Sequence, residues 1–196
     1  KLKAGSFGMD LSMYKFKKKI NVDKNYINEL FNWRDKKIVV FFLSYLIDAN
    51  FPFGYRKNFQ DTYCWTKFIL EKIPKIKNVN WIIKDHPRRK VYGQEPKIDF
   101  EKKINFLVEN FAHIKRWPKN ISNTSLLKVA DTTLTSSGTV GIEYPAYGIR
   151  ALYTEKSSYS NLNFMKMIES KKDILKKIKN LKKINKPTND FINKCK

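Results

Sequence analysis

Two short stretches of this chain carry residue types that can handle an anion. The first is Lys84-Asp85-His86-Pro87-Arg88-Arg89, where ammonium, imidazole and guanidinium groups crowd together. Such groups bind phosphate oxygens through charge-assisted hydrogen bonds. The second is Ser136-Ser137-Gly138-Thr139, followed within one helical turn by Glu143. Small residues let a ligand approach the backbone, and hydroxyls and backbone N–H groups can both donate to phosphate. A carboxylate such as Glu143 can accept the hydroxyls of a ribose. Together these residues could hold a nucleoside phosphate. Each also has a plainer reading: His86 as a capped loop histidine, Glu143 as a solvated helix carboxylate, Arg88 and Arg89 as surface charges, and the Ser/Gly turn as an ordinary strand-to-helix connection.

The elements around both stretches set them where a ligand could bind. Ile38-Val39-Val40-Phe41-Phe42-Leu43 is continuously apolar, which predicts a strand over residues 37–45 buried on both faces, as in a parallel sheet. Trp81-Ile82-Ile83 predicts a second strand at 80–84 that runs straight into Lys84-Asp85-His86. Thr132-Thr133-Leu134-Thr135 is β-branched enough for a core strand, and it feeds the Ser/Gly turn. Helical spacing predicts helices at 25–33, 60–73, 100–110, 140–147, 162–170 and 173–184, with Pro74 and Gly148 as stops and Ser122 or Asn123 capping a helix that runs through Val129. A short strand at 112–116 and another at 150–153 complete the series. Strands alternating with helices imply right-handed crossovers and an α/β, doubly wound parallel sheet of Rossmann-like type. In such sheets ligands bind beyond the carboxyl ends of the strands, where both stretches lie. The loop at 47–58, after the first strand, falls on that same side.

Composition bounds the rest. A chain of 196 residues with 42% hydrophobic and 14% aromatic residues is globular. It has no apolar run of about eighteen residues to span a membrane and no signal peptide at its start. It opens on Lys1 rather than Met, and we expect a domain of a longer protein. The net charge is +22, from 40 Lys+Arg against 18 Asp+Glu. That balance fits a polyanionic partner, but abundant Lys, Asn and Ile are also what AT-rich coding DNA produces, and no RNP-like, zinc-finger or helix-turn-helix signature supports nucleic acid. Cys64 and Cys195 lack CxxC spacing, which fits a reducing cytosol. With His86 and His113 as the only histidines, no metal site is expected. There is no GxGxxG after the first strand and no P-loop.

At these motifs the sequence resembles the C-terminal, donor-binding half of GT-B glycosyltransferases of bacterial surface polysaccharide synthesis. It is most similar to the capsule polysaccharide biosynthesis proteins that include Kdo transferases, and more distantly similar to bacterial sialyltransferases. In that family Lys-x-His-Pro follows one strand, and a Ser-Ser or Ser-Gly-Thr turn with a later Gly-x-Glu follows another. Here they are Lys84-Asp85-His86-Pro87, Ser136-Ser137-Gly138-Thr139 and Gly141-Ile142-Glu143. Ala146-Tyr147-Gly148-Ile149-Arg150 resembles the run into the last strand, with Arg150 where the family has Pro. Gly5-Ser6-Phe7-Gly8-Met9-Asp10 resembles the segment that opens the second domain. The match covers residues 5–165.

The resemblance implies a domain that takes a CMP- or UDP-linked sugar for capsule or lipopolysaccharide synthesis. Lys84, His86 and Ser136, Ser137, Gly138 and Thr139 would hold the donor phosphate, and Glu143 and Pro87 would lie at its ribose and base. No metal and no other cofactor are implied. The acceptor, a saccharide or lipid-linked sugar, and the usual catalytic base belong to an N-terminal GT-B domain that this chain lacks, so the chain alone is expected to be incomplete. UDP-sugar 2-epimerases and teichoic acid glycerophosphotransferases share the architecture. The latter usually carry Asp-Tyr-Ser-Ser where this chain has Leu134-Thr135-Ser136-Ser137. A non-catalytic basic module that binds polyanions or membranes is the alternative of another class.

The expected division is a linker and lead-in helix at 1–35, the Rossmann-like nucleotide-sugar domain at 36–170, and a basic amphipathic helix and tail at 171–196. In the last, Ile174, Leu175, Ile178, Leu181 and Ile184 form an apolar stripe amid lysines. That stripe either packs on the sheet or a missing domain, or lies on an anionic membrane. The second option would make a cytoplasmic enzyme peripheral at the inner membrane.

Overall fold

The computed structural model describes residues 19–44, 58–86, 100–160, 168, 170–181, 184 and 186–194. The motif at 5–10, the loop at 47–57, Pro87, Arg88, Arg89, most of the helix expected at 162–170, and Cys195 lie outside the described residues.

Five strands form one parallel sheet: β1 (Ile38–Phe42), β2 (Asn80–Lys84), β3 (Ile114–Arg116), β4 (Thr132–Thr135) and β5 (Arg150–Tyr153), in the order β3-β2-β1-β4-β5. The helices are α1 (Lys24–Leu30), α2 (Thr62–Lys72), α3 (Phe100–Asn110), α4 (Leu126–Val129), α5 (Val140–Ala146), α6 (Lys171–Lys179) and α7 (Asn189–Lys194). This is the doubly wound, Rossmann-like fold that the alternation of elements predicts.

Continuous hydrophobicity in β1 means what it should in a central parallel strand. Val39 and Phe41 enter one core with Trp65, Ile69 and Leu70 of α2 and Ile104 and Leu107 of α3. Ile38 and Val40 enter the other with Ile27 of α1, Leu126 and Val129 of α4, and Val140 and Tyr144 of α5. Asp23 caps α1 and Asp61 caps α2, each side chain accepting a backbone N–H in the first turn. Ser122 caps a short 3-10 turn that leads into α4. Gly148, at φ +79°, stops α5 as a left-handed residue.

The C-terminal stripe has a definite place. Ile174, Ile178, Leu181 and Ile184 are buried in the first core, against the same sheet face as α2 and α3. Packing on the sheet is therefore what the stripe does, and it is not presented to a lipid surface. The helix is shorter than the spacing predicts, ending at Lys179. α7, which has no clear periodic signal, packs against α5.

Asp131 ties the amino end of the sheet together. Its carboxylate accepts hydrogen bonds from Lys24 (2.7 Å), Lys37 (3.0 Å) and the Ile38 amide (2.8 Å). Burial pulls its pKa upward, but these three donors outweigh burial and hold it below the ordinary carboxylate value. The folded-state pKa is thus below the unfolded one. Its stabilisation is complete above the unfolded value of about 4 and disappears as pH falls through the folded one. We predict that Asp131→Asn is less stable than the parent chain at pH 7 and that the two urea midpoints converge as pH falls below about 4. A gap independent of pH would contradict this.

Candidate nucleotide-phosphate site

β1 is hydrogen-bonded to β2 on one side and β4 on the other, so the chain winds away from it in both directions. The carboxyl end of β1 is the switch point at which open α/β sheets bind ligands. Phe42 pairs with Lys84, and Phe41 pairs with Leu134. Continuing that second register by one residue sets Thr135 level with Lys84, on opposite sides of Phe42. Two strand spacings separate them, about 10 Å. The two motifs, fifty residues apart in sequence, therefore flank one crevice.

On the β2 side, Lys84, Asp85 and His86 are all half-buried. Lys84 Nζ donates to the Asp85 carbonyl at 2.9 Å. Asp85 itself is held from β3: Arg116 Nε and Nη2 donate to its two carboxylate oxygens at 2.7 Å each. The same guanidinium donates to Glu101 in the first turn of α3. Arg116 thus forks onto carboxylates on either side of residues 87–99 and fixes the backbone that carries His86. The hydrogen bonds to Asp85 above all, and those to Glu101, push its pKa up, so it is a permanent cation here. With its charge spent on two acids, Asp85 repels an incoming anion less.

On the β4 side, Ser136 is buried, Ser137 half-buried, and Gly138 and Thr139 exposed. The Ser136 carbonyl accepts the amides of Thr154 (3.0 Å) and Glu155 (3.1 Å), which locks the turn to the segment after β5. Ser136 is thus a structural anchor, and the accessible part of the turn is 137–139. The Gly138 amide donates to Thr135 Oγ1 at 3.2 Å. The Thr139 carbonyl accepts the Ile142 and Glu143 amides (2.9 and 3.0 Å), which starts α5. Glu143 is half-buried one turn in. Among the described residues no group of three or more His, Cys, Asp or Glu could hold a metal ion.

The structure brings Lys84, His86, Ser137, Gly138, Thr139 and Glu143 to one end of the sheet, while Pro87 lies outside the described residues. Sequence reading misses Arg116, which sits in a three-residue strand with no motif around it. It also misses Tyr159, in an irregular stretch after β5.

No family model matches the chain, and no curated protein matches it. Solved structures do. The wall teichoic acid polymerase TagF superposes with a TM-score of 0.55 at 14% identity, over 87% of this chain and 40% of that one. A UDP co-structure of MnaA from S. aureus gives 0.51 at 16% identity, over 83% of this chain and 42% of that one. A putative UDP-N-acetylglucosamine 2-epimerase from Listeria monocytogenes gives 0.51 at 13% identity, over 94% and 47%. At these identities the likeness is one of fold: a Rossmann-like α/β unit. The chain spans less than half the length of each.

Arg116→Ala should leave Asp85 and Glu101 facing each other without their cation. We expect a loss of about 1–3 kcal/mol in urea unfolding, less than for a fully buried pair because the guanidinium is partly exposed. Arg116→Lys, which keeps the charge but cannot fork, should recover only part of it. Full recovery by Lys would show that charge alone matters.

Proposed function

We propose that this chain is the donor-binding domain of a GT-B glycosyltransferase that takes a nucleotide-activated sugar, CMP- or UDP-linked, in capsule or lipopolysaccharide synthesis. The observation that carries this reading is the strand register, which sets the Lys84/His86 turn and the 137–139 turn level with one another across the switch point. In the proposed complex Lys84 and His86 take phosphate oxygens from one side, and the amides and hydroxyls of Ser137, Gly138 and Thr139 take them from the other. Glu143 accepts ribose hydroxyls. These donors neutralise a leaving nucleotide phosphate without requiring a metal. Residues 36–170 form the donor domain. The acceptor and catalytic base come from a second domain, which accords with the chain's share of its structural neighbours' length.

A second reading has support of the same kind. Two of the neighbours are named for UDP or for UDP-N-acetylglucosamine 2-epimerase activity, and the same crevice would serve an epimerase-like or glycerophosphotransferase-like domain. Both readings predict a bound nucleotide phosphate. No helix among the described residues is long and apolar enough to cross a membrane. The cytoplasmic location we propose follows from the proposed nucleotide-sugar donor, not from that observation.

Calorimetry with CMP, CDP and UDP tests the proposal. At least one should bind at millimolar concentration or below, and His86→Ala should weaken it by about 1–3 kcal/mol through loss of a charged hydrogen bond. Binding should survive moderate salt, since a partly buried site is screened less than surface charge. Affinity that collapses steeply with salt would favour the polyanion-binding alternative. Absence of binding by all three would end the nucleotide reading.

A further inference from the structure

Tyr159 is 4% exposed, and its hydroxyl donates to the Gly138 carbonyl at 2.7 Å. That carbonyl also accepts the Gly141 amide at 2.9 Å. The peptide joining Gly138 to Thr139 is a rigid trans plane, so its C=O and N–H point in opposite directions. Two donors draw the carbonyl toward the interior, and the Thr139 N–H must then face outward. Gly138 and Thr139 are exposed, and among the described residues the Thr139 amide has no acceptor.

The ring is fitted to this task. It meets Tyr153 edge-on, with centroids 5.2 Å apart at 78°. It also fills the space a side chain at Gly141 would need. A Cβ there would lie 2.1 Å from the Tyr159 hydroxyl oxygen and 2.7 and 3.0 Å from Cζ and Cε2. Residue 141 is therefore glycine so that Tyr159 can reach the turn. Burial pushes the phenol well above its ordinary range and outweighs a Ser157 hydrogen bond that acts the other way, so it remains an O–H donor at any working pH.

We propose that Tyr159 is a positioning residue that aims the Thr139 amide at a bound nucleotide phosphate. The inference rests on the nucleotide-phosphate reading of the 137–139 turn and adds to it a residue from outside the turn. A core phenylalanine would fill the same space, and what tyrosine adds is a donor placed on the one carbonyl that sets the orientation of the outward amide.

Calorimetry on the parent chain, Tyr159→Phe, Gly141→Ala and the double variant tests this, with CDP and UDP as probes and cytidine and uridine as phosphate-free controls. Tyr159→Phe keeps the ring and removes the donor. Its affinity for the nucleoside diphosphates should fall about three- to tenfold, the range for one neutral hydrogen bond, with nucleoside binding unchanged. Gly141→Ala should displace the ring and cost at least as much, and adding Tyr159→Phe to it should cost nothing more, because both act through one contact. Should Gly141→Ala fail to fold, Tyr159→Phe decides alone. Diphosphate affinity equal to that of the parent chain would overturn the inference, as would equal losses for diphosphate and nucleoside. A parent chain that binds neither diphosphate overturns the phosphate reading first and the role of Tyr159 with it, and the parent titration identifies that case separately.

Discussion

The structure depends on the double pairing of β1. A strand bonded on both edges and covered on both faces has no surface left for chemistry. Val39, Phe41, Ile38 and Val40 are all fully buried, and the only exits from this rigid centre are the ends of the strands. Because β2 and β4 lie on opposite sides of β1, the segments leaving them are splayed by two strand spacings. They are also held level by parallel hydrogen bonding. Two loops fifty residues apart thereby acquire a fixed separation that neither could set alone.

Each loop is then pinned by a side chain from elsewhere in the chain. Arg116 grips the β2 loop through Asp85, and Tyr159 grips the β4 turn through the Gly138 carbonyl. In both cases a buried or half-buried polar group spends its hydrogen bonds on backbone or side chains beneath the surface, which fixes the backbone of the turn above it. Such pre-organisation matters for anion binding, since donors that need not reorganise lose less on binding. The Ser136 carbonyl, which bonds the Thr154 and Glu155 amides, joins the β4 turn to the β5 side in the same way.

Much of this was legible in the sequence. An unbroken apolar run in β1, a β-branched run in β4 and helix stops such as Pro74 and Gly148 are local signals, and they predict the order of elements and the sites of both motifs. The helix at 100–110 and the strands at 80–84, 132–135 and 150–153 have the bounds their patterns predict. Other features depend on contacts between distant residues. The amphipathic stripe at 174–184 reads as a core face or as a membrane face, and only the apolar surface of α2, α3 and the sheet decides for the core. Arg116 and Tyr159 look like any charged or aromatic residue, because their roles depend on where Asp85 and Gly138 come to lie. Gly141 reads as part of a Gly-x-Glu motif, while its physical reason, the ring of a tyrosine eighteen residues on, is invisible without the fold.

The central claim is that the two strand-end turns serve one ligand. Amide chemical-shift mapping by NMR during a titration with CDP or UDP tests it most directly. The account predicts that the amides of residues 84–86 and 137–140 shift together and saturate along a single binding curve. Shifts confined to one turn, or spread over the lysine-rich surface with neither turn responding, would contradict it.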